Sequence, residues 1–143
     1  MMNLPEPASS PAFRFSRPVT VVESHIDELR HVNNVQYVQW IQDIAGAHWL
    51  TAYPVGEREQ YVWVVQEHRV RYRKSAVLGD ELRLTTWIGE FKGATSQRFT
   101  RVERVADDAL LCEAETTWVL LDPQTGRPKR VEPSVVERLW GPV

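Results

Sequence analysis

From Tyr61 onward, hydrophobic and polar positions alternate with a period of two, and they hold that rhythm over most of the remaining chain. Such alternation builds strands, because successive side chains of an extended backbone point to opposite faces. Four runs carry it: YVWVVQEHRVRYR from Tyr61, ELRLTTWIGEF from Glu81, TSQRFTRVERV from Thr95 and ALLCEAETTWVLLD from Ala109. Gly79-Asp80, Gly93 and Asp107-Asp108 punctuate them as turns. Ahead of them, FRFSRPVTVVE from Phe13 to Glu23 is rich in aromatic and β-branched residues and places Phe13, Phe15, Val19 and Val21 on one side. It reads as a first strand, in which Pro18, lacking an N–H, marks an edge or a bulge.

Between these two regions the period becomes that of a helix. Tyr37, Val38, Ile41, Ile44, Ala45 and His48 recur at helical spacing, and Trp40 and Trp49 broaden the apolar surface, so the helix is expected to be covered on most sides. Asn33 stands where an N-cap belongs, with Gln36 at the reciprocal position of a capping box, and Pro54 stops the helix near Tyr53. Near the end, PQTGRP reads as a turn and EPSVVERLW as a short terminal helix. One strand, one long helix and four consecutive strands make an α+β chain whose antiparallel sheet must wrap the helix.

Residues 1–12, rich in proline and serine, read as a flexible arm, and 13–143 as a single domain. The net charge of -2, with acidic and basic residues interspersed, offers no field to collect nucleic acid or an anionic membrane. No apolar run approaches the ~20 residues that span a bilayer. Cys112 is the single cysteine and the first residues, MMNLPEPASS, have no signal-peptide character, so a reducing cytoplasm is expected. The four histidines, His25, His31, His48 and His68, lack the spacing of zinc ligands, and neither a metal nor a cofactor is expected.

The densest functional cluster is Ser24 to Asn34, SHIDELRHVNN, between the first strand and the helix. A helix start leaves backbone N–H groups unpaired and carries about half a positive charge, so it can hold an oxyanion. Asp27 lies a few residues upstream, and a carboxylate beside aimed donors is a minimal apparatus for acyl transfer. The residue types leave a plainer reading open as well. In it Asp27 bonds its own backbone in a loop, His31 is a hydrogen-bonded junction residue and Asn33 only a cap.

The stretch DELRHVNNVQYVQW, Asp27 to Trp40, resembles the Asp-x-x-x-His-Val-Asn-Asn-x-x-Tyr signature of the 4-hydroxybenzoyl-CoA thioesterase family and of plant acyl-carrier-protein thioesterases. VRYRKSAVLGDEL resembles the strand and turn after their helix, and Glu115 to Val119 with Asp122 to Pro128 their last strand and its turn. The resemblance implies a hotdog fold, one long central helix wrapped by a curved antiparallel sheet. It implies hydrolysis of an acyl-CoA or acyl-carrier-protein thioester by a homodimer or homotetramer. Asp27 would act on the thioester carbonyl, the N–H of Asn34 or Val35 would be the oxyanion donor, and His31 would hold the loop or touch substrate. Asn33, Tyr37, Tyr72 and Ser75 would line the site, with Tyr72 to Ala76 of a partner subunit contributing. Arg127, in a small basic cluster with Lys129 and Arg130, would meet the CoA phosphates. Leu29 and Ser75-Ala76 depart from the plant pattern, which leaves a single-carboxylate mechanism. Arg30 stands where many bacterial members have glycine.

Two other readings compete. A hotdog hydratase or dehydratase resembles Asp-x-Asn-Pro-x-His, five steps from Asp to His, whereas Asp27 and His31 are four apart with no proline between them. A non-catalytic acyl-binding module would keep the pocket and lack the chemistry. Cys112, on a strand face with Ala114 and Trp118, is expected to pack.

Overall fold

The computed structural model describes Leu4, residues 14–53 and residues 55–140; the rest of the expected arm, Phe13 and Pro54 lie outside the described residues. The elements run β1 (Arg14–Thr20), α1 (Asn34–Ala52), α2 (Val55–Arg58), β2 (Val62–Tyr72), β3 (Glu81–Lys92), β4 (Thr95–Arg104), β5 (Leu110–Leu121) and α3 (Pro133–Trp140). The strands form one antiparallel sheet in the order β1-β3-β4-β5-β2. Pro18 sits in edge strand β1, opposite Arg83, where its missing N–H costs the sheet nothing. Register shifts between Val65 and Glu67 in β2 and between Ile88 and Phe91 in β3 bend the strands they interrupt. Gly79, Gly93 and Asp108 all take positive φ at the expected turns.

Asn33 caps α1 as the sequence indicates, its side chain accepting from the Val35 N–H at 2.9 Å. The capping box is not completed, because the Asn33 N–H donates instead to the His25 carbonyl at 2.9 Å, and Gln36 has nothing left to accept there. Coverage on most sides is also corrected. Tyr37, Trp40, Ile41, Ile44, Ala45 and His48 are buried, but Gln39, Gln42, Asp43, Gly46 and Leu50 are exposed, so the sheet takes one face of α1 and leaves the other to solvent.

The core is divided. Beneath the first half of α1, Ile41 meets Leu82, Val102, Leu111 and Cys112. Cys112 is fully buried there, and burial pushes its thiol up to about 12, which leaves it a packing residue without thiolate character. The second cluster gathers Tyr53, Ile88, Leu120, Val131, Val135 and Leu139 beneath α3. Arg138 of α3 donates to the Ala52 carbonyl at 2.7 Å and pairs with Glu57 at 2.8 Å, which satisfies the end of α1. Among the described residues, no helix is long and apolar enough to cross a membrane.

Candidate active site

The approach to α1 is a tight backbone hairpin. Ile26 and Val32 form an antiparallel bridge, the Asp27 N–H donates to the His31 carbonyl at 2.9 Å, and the Arg30 N–H closes the turn on the Asp27 carbonyl at 3.0 Å. Ile26 and Val32 turn toward the core. Side chains alternate along extended backbone, so Asp27 and His31, one step on, take the outer side. Arg30 adopts φ 63, a left-handed conformation in which glycine is at ease and a side chain is strained. Its guanidinium is already engaged, with Nη1 and Nη2 on the two Glu23 carboxylate oxygens at 2.6 and 3.0 Å. That hydrogen bond is the main reason the Glu23 carboxyl is held below its usual range.

Asp27 is half-buried, and its Oδ1 accepts from the Leu29 N–H at 2.9 Å. This is the self-bonded loop turn open to any aspartate here, yet among the described residues its Oδ2 has no partner. Of the two candidate oxyanion donors, the Val35 N–H is occupied by the Asn33 side chain. Among the described residues nothing accepts from the Asn34 N–H, the first of the helix.

The chain's own β2 end and the segment after it close over this hairpin. The Val32 N–H donates to the Ala76 carbonyl at 2.9 Å, and the Ala76 N–H donates to the Tyr37 hydroxyl at 3.1 Å. The Tyr72 hydroxyl donates to the Asn34 carbonyl at 3.2 Å, with its ring near that of Tyr37. Tyr37 itself is buried, with burial raising its phenol pKa, and it lies beneath the hairpin as a support. Ser75 and His31 are exposed. Arg127 is not brought to this place. It sits in the turn after β5, whose end pairs with Val62, whereas Tyr72 pairs with Cys112. Ten strand residues, roughly 33 Å, separate the two ends within the protomer.

A second polar cluster was not singled out in the sequence. Arg98 of β4 is buried and donates from Nη1 to His48 Nδ1 at 2.9 Å and to the Thr86 hydroxyl at 3.2 Å. Arginine has only donors, so His48 must accept at Nδ1 and carry its proton on Nε2. Burial, and then the neighbouring cation, lower the His48 pKa to about 4, and burial lowers that of Arg98 to about 10. The signal was present in TSQRFTRVERV, where period two puts Arg98 on the buried face with Ser96, Thr100 and Val102.

A family model described as the Thioesterase-like superfamily matches residues 21–139. The chain belongs to the thioesterase-like superfamily. Among its relatives, the long-chain acyl-CoA thioesterase FadM of Escherichia coli is 24% identical over 123 residues, which cover 80% of this chain and 89% of FadM. A Staphylococcus aureus protein solved in complex with CoA superposes with a TM-score of 0.81 at 20% identity, over 88% of this chain and 81% of the other. The 12:0-ACP thioesterase of Umbellularia californica gives a TM-score of 0.77 at 17% identity, over 89% of this chain and 49% of the other. The thioesterase-like chain therefore has the hotdog fold that its signature implies, with α1 against a five-stranded antiparallel sheet.

Proposed function

We propose that this member of the thioesterase-like superfamily is an acyl-CoA thioesterase, cleaving its substrate to a free acid and CoA with Asp27 as the reacting carboxylate. The observation that carries the reading is the pairing of an unpartnered Asp27 Oδ2 with an unpartnered Asn34 N–H on one short hairpin and helix start. Asp27 either attacks the thioester carbonyl carbon, giving a mixed anhydride that water then hydrolyses to the free acid, or draws a proton from a water that attacks the carbonyl carbon itself. In both cases the carbonyl oxygen gains negative charge, which the Asn34 N–H and the positive end of α1 stabilise until the C–S bond breaks and the thiolate leaves. CoA as the carrier is supported by the FadM relationship and by the CoA-bound Staphylococcus aureus fold. His31, Asn33, Val35, Tyr72 and Ser75 form the surround from which substrate contacts are drawn. The lone buried thiol suits a reducing cytoplasm as the working compartment.

A homodimer is the minimal working unit in this reading. Leu29 and Val35 are 75% and 73% exposed beside the site, Val77 and Leu78 project from the segment that covers it, and β1 and β2 are free sheet edges. A partner would also supply the distant basic turn around Arg127 to the CoA phosphates. Light scattering is expected to give at least a dimer, and a stable, active monomer would refute this part.

The central test is thiol release from a panel of acyl-CoAs by parent and Asp27→Asn proteins. Asparagine keeps the acceptor for the Leu29 N–H, so the hairpin should persist while turnover falls by ~10² or more. A folded Asp27→Asn variant within tenfold of the parent would overturn the mechanism in favour of an acyl-binding module.

A further inference from the structure

Arg98 is a cation buried in the middle of the protein with no anion beside it. It is 6% exposed, and its hydrogen bonds among the described residues run to two neutral groups, His48 Nδ1 and the Thr86 hydroxyl. None of the ion pairs of the described residues includes it. An uncompensated buried charge is strongly unfavourable, so its surroundings indicate what meets it.

Those surroundings include a cavity of about 250 Å³, walled by Arg98 and Ser96 and by the aromatic rings of Trp49, Tyr61, Trp63 and Trp118. A guanidinium is a donor without acceptor capacity. The cavity thus carries one positive charge, from Arg98, in a wall that is otherwise mostly aromatic and aliphatic. Its complement is an acceptor with a single negative charge on a compact, apolar body, and the volume lies at the small end for ligand pockets. It is also separate from the helix start. Its wall on α1 is Ala45, Gly46 and Trp49, eleven to fifteen residues beyond Asn34, or roughly 17–22 Å along the axis.

We propose that this cavity is a second binding site, which takes a carboxylate on a small aromatic or aliphatic body with Arg98 as its counter-charge. The carboxylate has two possible sources: a free acid, which is also the chemical class of product that thioester hydrolysis releases, or the far end of an acyl group that carries a second carboxylate.

Titration calorimetry and tryptophan fluorescence on the full chain, in a buffer free of carboxylates and phosphate, test the site with benzoate and hexanoate against benzamide and hexanamide. The acids are expected to bind at least about tenfold more tightly than the amides, the difference a charge-assisted hydrogen bond supplies. Arg98→Met should abolish acid binding and leave the free protein as stable as the parent or more so, since it removes an uncompensated charge. Arg98→Gln, which keeps a hydrogen-bonding side chain and removes the charge, should weaken acid binding toward that of the amides and serves as the check if Arg98→Met does not fold. Absence of acid binding, equal binding of acid and amide, or unchanged binding in these variants would overturn the proposal. The sources separate in hydrolysis of ω-carboxyacyl-CoA against methyl-ended acyl-CoA of the same length. A rate ratio that collapses in Arg98→Met assigns the acyl end, and an unmoved ratio with benzoate binding lost assigns a free acid. Hydrolysis that depends on Asp27 is measured independently, so the two readings stand or fall separately.

Discussion

At the start of α1 the polar groups are set by backbone. Asp27, Arg30, Val32 and Asn33 are tied by main-chain bonds of 2.9 to 3.0 Å, and the Asp27 side chain takes the outer side of the hairpin. Toward the end of the same helix the polar groups are set by side chains, where His48, Arg98, Thr86 and Thr100 link one another in a buried chain between two apolar clusters. The difference decides how each region responds to change. A backbone-made site tolerates replacement of neighbouring side chains and fails when a specific atom is lost. A side-chain-made cluster in low dielectric responds to charge, and hence to pH.

The sharpest way to break the first half of that contrast is to delete one backbone atom. Asn34 is the first helical residue and Asn33 before it is extended, at φ -60 and ψ 135, so Asn34→Pro is sterically welcome. Loss of that N–H should lower turnover by about 10² to 10³ while the protein stays folded by circular dichroism. Near-parental turnover would show that the donor lies elsewhere.

The second half is tested by pH. The unfolded chain takes up a proton on histidine near 6.5, whereas His48 in the fold resists until about 4. The unfolded state therefore binds more protons in that window, and stability that is complete above 6.5 is lost as pH falls toward 4, by up to about 3 kcal/mol. Urea midpoints across this range should drop in the parent and flatten in His48→Gln; parallel slopes would disprove the assignment to His48.

A smaller effect probes the join between the site and its support. Tyr37→Phe removes the acceptor for a buried Ala76 N–H and should cost about 1–3 kcal/mol in chemical denaturation. A loss below that range would mean that the Ala76 N–H finds another acceptor.

The elements were legible because their signals are local. Period-two runs located β2 to β5, and Asn33 marked the start of α1 to the residue. The hotdog arrangement and the Asp27 cluster came from one contiguous signature. What stayed hidden depends on who meets whom across the chain. His48 and Arg98 are 50 residues apart, and nothing in either neighbourhood announces the other. His48 counted as one more member of an apolar stripe, which by burial it is. The capping box failed for a similar reason: Gln36 has the right spacing, but the hairpin delivers the His25 carbonyl to the same N–H first. Arg127 has no address in a sequence, whereas strand register gives it one within the protomer, at the end of the sheet away from Tyr72.

The backbone of Ala76 has a consequence for how the activity comes into being. Its carbonyl holds Val32 and its N–H rests on Tyr37, so one residue from beyond β2 fastens the hairpin to the helix across about forty residues of chain. During synthesis the segment with the whole signature emerges first, yet it has nothing to fasten it until Ala76 arrives and β2 finds its place beside β5. Hydrolytic competence is then a late event in folding, and the first appearance of turnover in a refolding experiment would serve as a clock for closure of the sheet.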